Sequence, residues 1–264
     1  MSTRVWVNGA LTSDVSPDFD GLSFSLSEGL TETIRAVGGR ALHLNRHWCR
    51  LRAGAAVLEL HMPYGDGALS AAVRELLAED GGGDAMVCLT LTRGPTPRGF
   101  LPPREGTPSV LIAKAPLPAP QTPAELVVSM VTRRNEYSPL ARIKTLSTLD
   151  SLLARQEAIR RGADDAVMLN SRGRIACASA ANLFFLFGDE IVTPPVDEGA
   201  MPGIRRELAL ECFPITESPL TVDEAAEADD ILMTTSIALR PAASLEGRPL
   251  PRAGVLREWF AQAL

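Results

Sequence analysis

Ala115-Pro116-Leu117-Pro118-Ala119-Pro120-Gln121-Thr122-Pro123 places four prolines in nine residues. Proline fixes φ and has no amide proton to donate, so this stretch can be neither a helix interior nor a central strand. It reads as a short, stiff, extended connector. The chain accordingly divides into a first domain over residues 1–114, a linker over 115–123 and a larger domain over 124–264. With 264 residues there is enough chain for both halves to bury a core of their own.

Working outward from the linker, each half mixes strands and helices. On the amino-terminal side, Val5-Trp6-Val7 runs as a strand into an Asn8-Gly9 turn, and a second strand over 41–44 follows the Gly38-Gly39 turn. Asn45 is expected to cap a helix over 46–60, and a second helix covers 68–79. Strands over 86–92 and 109–113 bracket a Gly/Pro/Arg loop at 93–106. On the other side, a strand over 125–132 precedes an amphipathic helix over 146–161, which lines up Leu149, Leu152, Leu153, Gln156 and Ile159 on one side. Strands over 166–169, at 175 and over 182–187 surround a Ser171-Arg172-Gly173 turn. Helices over 204–213 and 221–226 and a strand over 231–235 complete the reading. The fold class is α+β, in two domains with a cleft between them.

Composition removes several classes of function. A net charge of −6 and a pI near 5.2 argue against a general nucleic-acid or anionic-membrane partner. Cys49, Cys88, Cys177 and Cys212 lie too far apart for a zinc knuckle or a Cys-x-x-Cys redox pair, and three histidines add no metal constellation. They read as small buried hydrophobes in a reducing compartment. No basic-then-apolar leader opens the chain and no apolar run reaches membrane-spanning length, so a cytoplasmic location is expected.

Four stretches could carry chemistry. Lys144, flanked by Ile143 and Leu146, stands between a strand and a helix; a desolvated lysine has a lowered pKa and condenses with a carbonyl cofactor. Pro202-Gly203-Ile204-Arg205-Arg206 opens a helix, whose N-terminal N–H groups and dipole favour a phosphate. Thr234-Thr235-Ser236 ends a strand with three hydroxyls. Arg93 and Arg98 sit on a glycine-hinged loop suited to gripping a substrate carboxylate. Taken one by one, each also has a plain reading: a solvated lysine, an ordinary helix start, a polar strand end and a surface loop.

Their order along the chain resembles the class-IV aminotransferases, the fold-type IV pyridoxal phosphate enzymes. Thr31-Glu32-Thr33-Ile34-Arg35, His47-Trp48-Cys49-Arg50-Leu51, Ile143-Lys144-Thr145-Leu146, Ala163-Asp164-Asp165-Ala166, Ala181-Asn182-Leu183-Phe184 and Pro202-Gly203-Ile204 follow the family's sequence of motifs over nearly the whole chain. The resemblance implies a small α/β domain, a larger pseudo-barrel domain and pyridoxal 5′-phosphate in the cleft. It implies Lys144 as the cofactor-bearing lysine and proton carrier, and Arg50, Gly203, Ile204 and Thr235 at the phosphate. Arg93, Arg98 and Ser236 would bind substrate, and the chain would act as a homodimer.

There are also departures. Cys177 stands where the family places the glutamate that pairs with the pyridine nitrogen, and a thiol offers only a weak hydrogen bond there. Glu28, Asp164 or another acid could reach in instead. Arg205 replaces a common threonine, Ser147 an asparagine, and Phe100 the histidine of the D-amino-acid branch. The activity implied is amino-group transfer from an amino acid to a 2-oxo acid. The alternatives are a 4-amino-4-deoxychorismate lyase, suggested by Arg98-Gly99-Phe100 and Ala180 to Phe184, and a weakened cofactor binder, suggested by Cys177.

Overall fold

The computed structural model describes residues 4–13, 26–79, 81–96 and 106–263. The chain separates into two compact units: Met1–Pro118 with Ile143–Ser147, and Ala119–Arg142 with Thr148–Leu264.

In the first unit the elements are β1 (Val5–Val7), β2 (Ala10–Thr12), β3 (Gly29–Val37), β4 (Arg40–Ala41), α1 (Leu44–Val57), α2 (Asp66–Ala78), β5 (Ala85–Thr92) and β6 (Ser109–Ala115). The strands form one antiparallel sheet in the order β2-β1-β6-β5-β3-β4. Alternation drives it: Ala85, Val87, Leu89 and Leu91 of β5 turn inward while their neighbours stay half-exposed. Burying each of the larger ones stabilises by about 1.5–3 kcal/mol. Helices α1 and α2 cover this sheet. Gly54 lets α1 approach closely, because a Cβ there would come within 3.0 Å of the Leu30 side chain. The α1 start differs from expectation. His43, in the left-handed region at φ 54°, is the N-cap, and Asn45 lies inside the helix.

β3 was not expected as a strand, yet it is the longest among the described residues. Leu30, Glu32, Ile34 and Ala36 share its buried face. Residues 143–147, expected in the larger domain, belong instead to the first unit. The cause is backbone pairing: Thr31 N–H donates to Lys144 O at 2.9 Å and Leu146 N–H to Gly29 O at 3.0 Å.

The second unit contains β7 (Ala124–Val128), α3 (Leu149–Arg160), β8 (Asp165–Leu169), β9 (Ile175–Ala178), β10 (Asn182–Phe187), β11 (Glu190–Thr193), α4 (Ile204–Cys212), β12 (Ile215–Glu217), α5 (Val222–Ala226), β13 (Asp230–Thr234), β14 (Leu239–Leu245), β15 (Arg248–Pro249) and α6 (Val255–Ala263). Its sheet follows the path β12-β11-β10-β13-β14-β7-β8-β9, with β15 against β14. A bond from Ala178 N–H to Ala181 O ties β9 to β10, so the sheet curls back on itself. Three of the pairings, β7 with β8 and β14 and β11 with β12, are parallel.

Strand β7 stops at Val128, short of the expected 132. The Glu157 carboxylate explains the stop by accepting from Met130 N–H, Val131 N–H and Ser129 Oγ. Helix α3 turns Ala154, Glu157 and Ala158 inward. Leu149, Leu152, Leu153 and Ile159, aligned as expected on one side, face solvent at 69%, 50%, 46% and 63% exposure. The small residues let the helix lie close on β8, and the large ones stay largely open to solvent.

Candidate functional site

Glu32 occupies the apolar phase of β3, between Leu30 and Ile34, at 1% exposure. A carboxylate there requires partners. α1 supplies two of them one turn apart: His47 Nδ1 lies 2.6 Å from Glu32 Oε2, and Arg50 donates from Nε at 2.8 Å and Nη2 at 2.6 Å. A carboxylate only accepts, so Nδ1 carries the proton of the histidine bond. Burial alone would push the Glu32 carboxyl up, but the bonds from Arg50 and His47 outweigh it and hold it below the ordinary carboxylate value.

Lys144 is held to β3 through its own carbonyl, with Thr145 opposite Leu30. Its ammonium is pushed below the ordinary lysine value, first by burial and further by the Arg50 charge, while Glu32 and Cys88 pull the other way. The Cys88 thiol is itself pushed up by burial, against the Lys144 charge and a hydrogen bond with Thr33. The chain has only two lysines, Lys114 and Lys144. Lys114 Nζ donates to Leu76 O at 3.1 Å.

Arg93, expected to bind substrate, is engaged within its own unit. Its Nε and Nη2 donate to Glu28 at 2.6–3.0 Å, and Nη2 and Nη1 donate to the carbonyls of Leu58 and Glu59. At 7% exposure it locks the end of β5 to the end of α1. That pairing also commits Glu28, one of the two acids considered for the pyridine nitrogen. Asp164, the other, accepts from Glu125 N–H and pairs with Arg240 at 3.2 Å. Arg98 and Phe100 lie outside the described residues.

In the second unit, Gly203 is the N-cap of α4. A Cβ there would collide with Asn182 Oδ1, so the close approach requires glycine. Asn182 pairs with Thr234 across β10 and β13, which puts both side chains on one face of the sheet. Thr234 is buried and its Oγ1 has no hydrogen-bond partner. An unpartnered hydroxyl on the strand face that meets a helix N-terminus suits an oxyanion such as a phosphate. Ile204 is buried, and Arg205 and Ser236 are half-buried. Thr235, expected at the phosphate, accepts from Ile237 N–H at 3.3 Å and Ala238 N–H at 3.0 Å within its own turn.

Cys177 lies on β9 among Val127, Ala154, Ala158, Ala166, Met168 and Ala176. Burial, with a smaller contribution from Asp165, pushes its thiol above the ordinary value against the opposing Arg134 charge. It is therefore a neutral thiol near pH 7. Among the described residues no group of His, Cys, Asp or Glu could hold a metal ion.

Sequence reasoning missed Glu32 and His47 as members of this constellation. The signal was present: a glutamate in the inward phase of an alternating apolar strand.

The chain matches the family model for amino-transferase class IV over residues 29–245. It is 26% identical over 255 residues to a D-alanine aminotransferase of Listeria monocytogenes, covering 92% of this chain and 88% of that one. Its fold superposes on a branched-chain aminotransferase from Thermoproteus uzoniensis with a TM-score of 0.92 at 27% identity, covering 99% and 93%. It superposes also on a provisionally named 4-amino-4-deoxychorismate lyase from Legionella pneumophila, with a TM-score of 0.87 at 25% identity and 94% of each chain.

Proposed function

The chain belongs to the class-IV aminotransferase family, whose enzymes depend on pyridoxal 5′-phosphate, and from that membership we propose that Lys144 is the lysine that carries the cofactor. The observation that supports this most is elimination. A carbonyl cofactor needs an amine, only Lys114 and Lys144 are present, and Lys144 is the one whose amine is desolvated beside a buried carboxylate and guanidinium. A lowered pKa makes the uncharged Nζ more available as nucleophile and base than that of a solvated lysine, with Nζ taking and returning the proton at the substrate's α-carbon. When bound, the cofactor supplies the electron sink.

In the first unit Arg50, oriented by Glu32, would hold phosphate. In the second unit the Gly203–Ile204 opening of α4 and the Thr234–Thr235 strand end have the chemistry to do so. Arg205 adds a positive charge at that opening. Cys177, as a neutral thiol, would leave the ring nitrogen without a carboxylate partner. Arg98 and Ser236 remain the substrate-carboxylate candidates.

The reaction proposed is amino-group transfer from an amino acid to a 2-oxo acid. The relatives act on different substrates at similar identity, so the amino acid and its handedness are matters for assay. The lyase reading is favoured by one observation, the Cys177 thiol, because elimination to an aromatic product asks less of the ring.

A homodimer is proposed on the exposed row Leu149, Leu152, Leu153 and Ile159 of α3, the sort of apolar surface that monomers seldom leave bare. The free thiols of the four cysteines suit a reducing, cytoplasmic setting. No helix among the described residues is long and apolar enough to cross a membrane.

The test is borohydride reduction of the purified, cofactor-loaded protein followed by peptide mapping. The cofactor should be fixed to Lys144. Finding it on Lys114, or on neither lysine, removes the proposal.

A further inference from the structure

We propose that Glu32 is a positioning residue of this enzyme, which fixes the Arg50 guanidinium and offsets its charge at the Lys144 amine. The inference rests on the reading of Lys144 as the cofactor-bearing lysine.

The geometry supporting it is rigid at both ends. Glu32 takes two nitrogens of Arg50 side-on, at 2.8 and 2.6 Å, a pairing that fixes the plane of the guanidinium as well as its place. His47 fills the remaining side of the carboxylate at 2.6 Å. All three side chains are more than nine-tenths buried, at 1%, 2% and 8% exposure for Glu32, His47 and Arg50. Lys144 is anchored to the same strand by the bond from Thr31 N–H, the residue next to Glu32. The lysine backbone and the carboxylate are therefore set by one stretch of β3, and the guanidinium by the carboxylate.

Three charged or titratable groups act on the Lys144 amine within this unit: Glu32 of β3, Arg50 of α1 and Cys88 of β5. Cys88 is held neutral by burial. What remains is one anion and one cation, joined to each other. Without Glu32, Arg50 would both lose its orientation and act on Lys144 uncompensated, draining the amine's proton affinity further. Without Arg50, the carboxylate would act alone and raise it. A merely structural pair predicts no such opposition of sign.

The test uses the full-length chain freed of cofactor, with no turnover involved. Formaldehyde and cyanoborohydride methylate the two lysines, and mass spectrometry follows each peptide as a function of pH. Lys114 serves as the internal reference. Glu32→Gln should move the Lys144 midpoint down by about one pH unit, and Arg50→Gln should move it up by a similar amount. Glu32→Asp, which keeps the charge, should leave it close to wild type, and Lys114 should not move in any variant. Circular dichroism shows which variants are folded. If Glu32→Gln is not, the upward shift in Arg50→Gln and the wild-type midpoint of Glu32→Asp still decide. Unmoved midpoints, or shifts of the same sign in both neutralised variants, overturn the proposal. Borohydride fixation of cofactor away from Lys144 overturns the underlying reading, whereas fixation on Lys144 with unmoved midpoints overturns the role of Glu32 alone.

Discussion

Lys144 in the first unit and Cys177 in the second are both withdrawn from water, and burial drives both toward neutrality, the amine down and the thiol up. Their surroundings then diverge. Around Lys144 the first unit places a buried carboxylate and a guanidinium, joined at 2.6–2.8 Å, with an imidazole bonded to the same carboxylate at 2.6 Å. Around Cys177 the second unit places alanines, a valine and a methionine. A neutral amine is a nucleophile and a base, whereas a neutral thiol in an apolar nest is nearly inert. The same desolvation thus activates one residue and silences the other. Charge acts on both, but at Lys144 it comes from a carboxylate and a guanidinium bonded to each other, whereas at Cys177 burial leads and Arg134 and Asp165 oppose one another.

The largest expected effect comes from Lys144→Ala. It should abolish turnover in a transamination assay and remove borohydride-fixed cofactor, because both the covalent anchor and the proton carrier are gone. Residual turnover with cofactor fixed to Lys114 would break the contrast at its root. Next comes Glu28→Ala. It strands Arg93, which is 7% exposed and has Glu28 as its only carboxylate among the bonds described. A stranded buried charge costs about 3–5 kcal/mol. Urea denaturation should show that loss in the first unit, and a loss under about 1 kcal/mol, as for an exposed pair, would mean that water reaches the guanidinium.

Much of this was legible in the sequence. The four prolines before residue 124 lie where the second unit begins, and the order of motifs around Lys144 points to the family. Local pattern failed where the reason for a residue lay far along the chain. Glu32 finds its partners 15 and 18 residues away, and Arg93 finds Glu28 65 residues away. Read locally, Arg93 was a free cation on a loop. Helix α3 misleads differently. Its leucines mark an apolar side correctly, but Ala154 and Ala158 make the closer packing surface, and periodicity cannot say which side a chain buries against itself. His43 as N-cap could not be read at all, because histidine in the left-handed region has little local signature.

Arg50→Gln comes third. It keeps a neutral donor near Glu32 and removes the charge available to phosphate. Cofactor affinity should fall about ten- to a hundredfold, the equivalent of 1.5–3 kcal/mol for a charge-assisted bond. Titration of the cofactor-free chain with pyridoxal 5′-phosphate measures it. Unchanged affinity would leave the phosphate wholly to groups such as the α4 opening and the Thr234 hydroxyl, and would make Arg50 part of the lysine's electrostatics only.

The smallest and most discriminating change is Cys177→Glu, which transplants a carboxylate into the apolar nest. In the cofactor-free chain the new group has Val127, Met168 and four alanines for company, with the Arg134 charge favouring its ionisation and the Asp165 charge opposing it. It should protonate or strain the packing, lowering stability by about 1–3 kcal/mol. If Cys177 stands where the ring nitrogen of the cofactor binds, loading the protein should give that carboxylate a cationic partner and recover most of the loss. The quantity to compare is therefore the rise in melting temperature on adding cofactor, which should be larger in Cys177→Glu than in wild type. Faster amino-group transfer with little change in any lyase activity would accompany it. An equal rise in both proteins would place Cys177 away from the ring. The contrast between the two units would then be one between an active site and a piece of ordinary core.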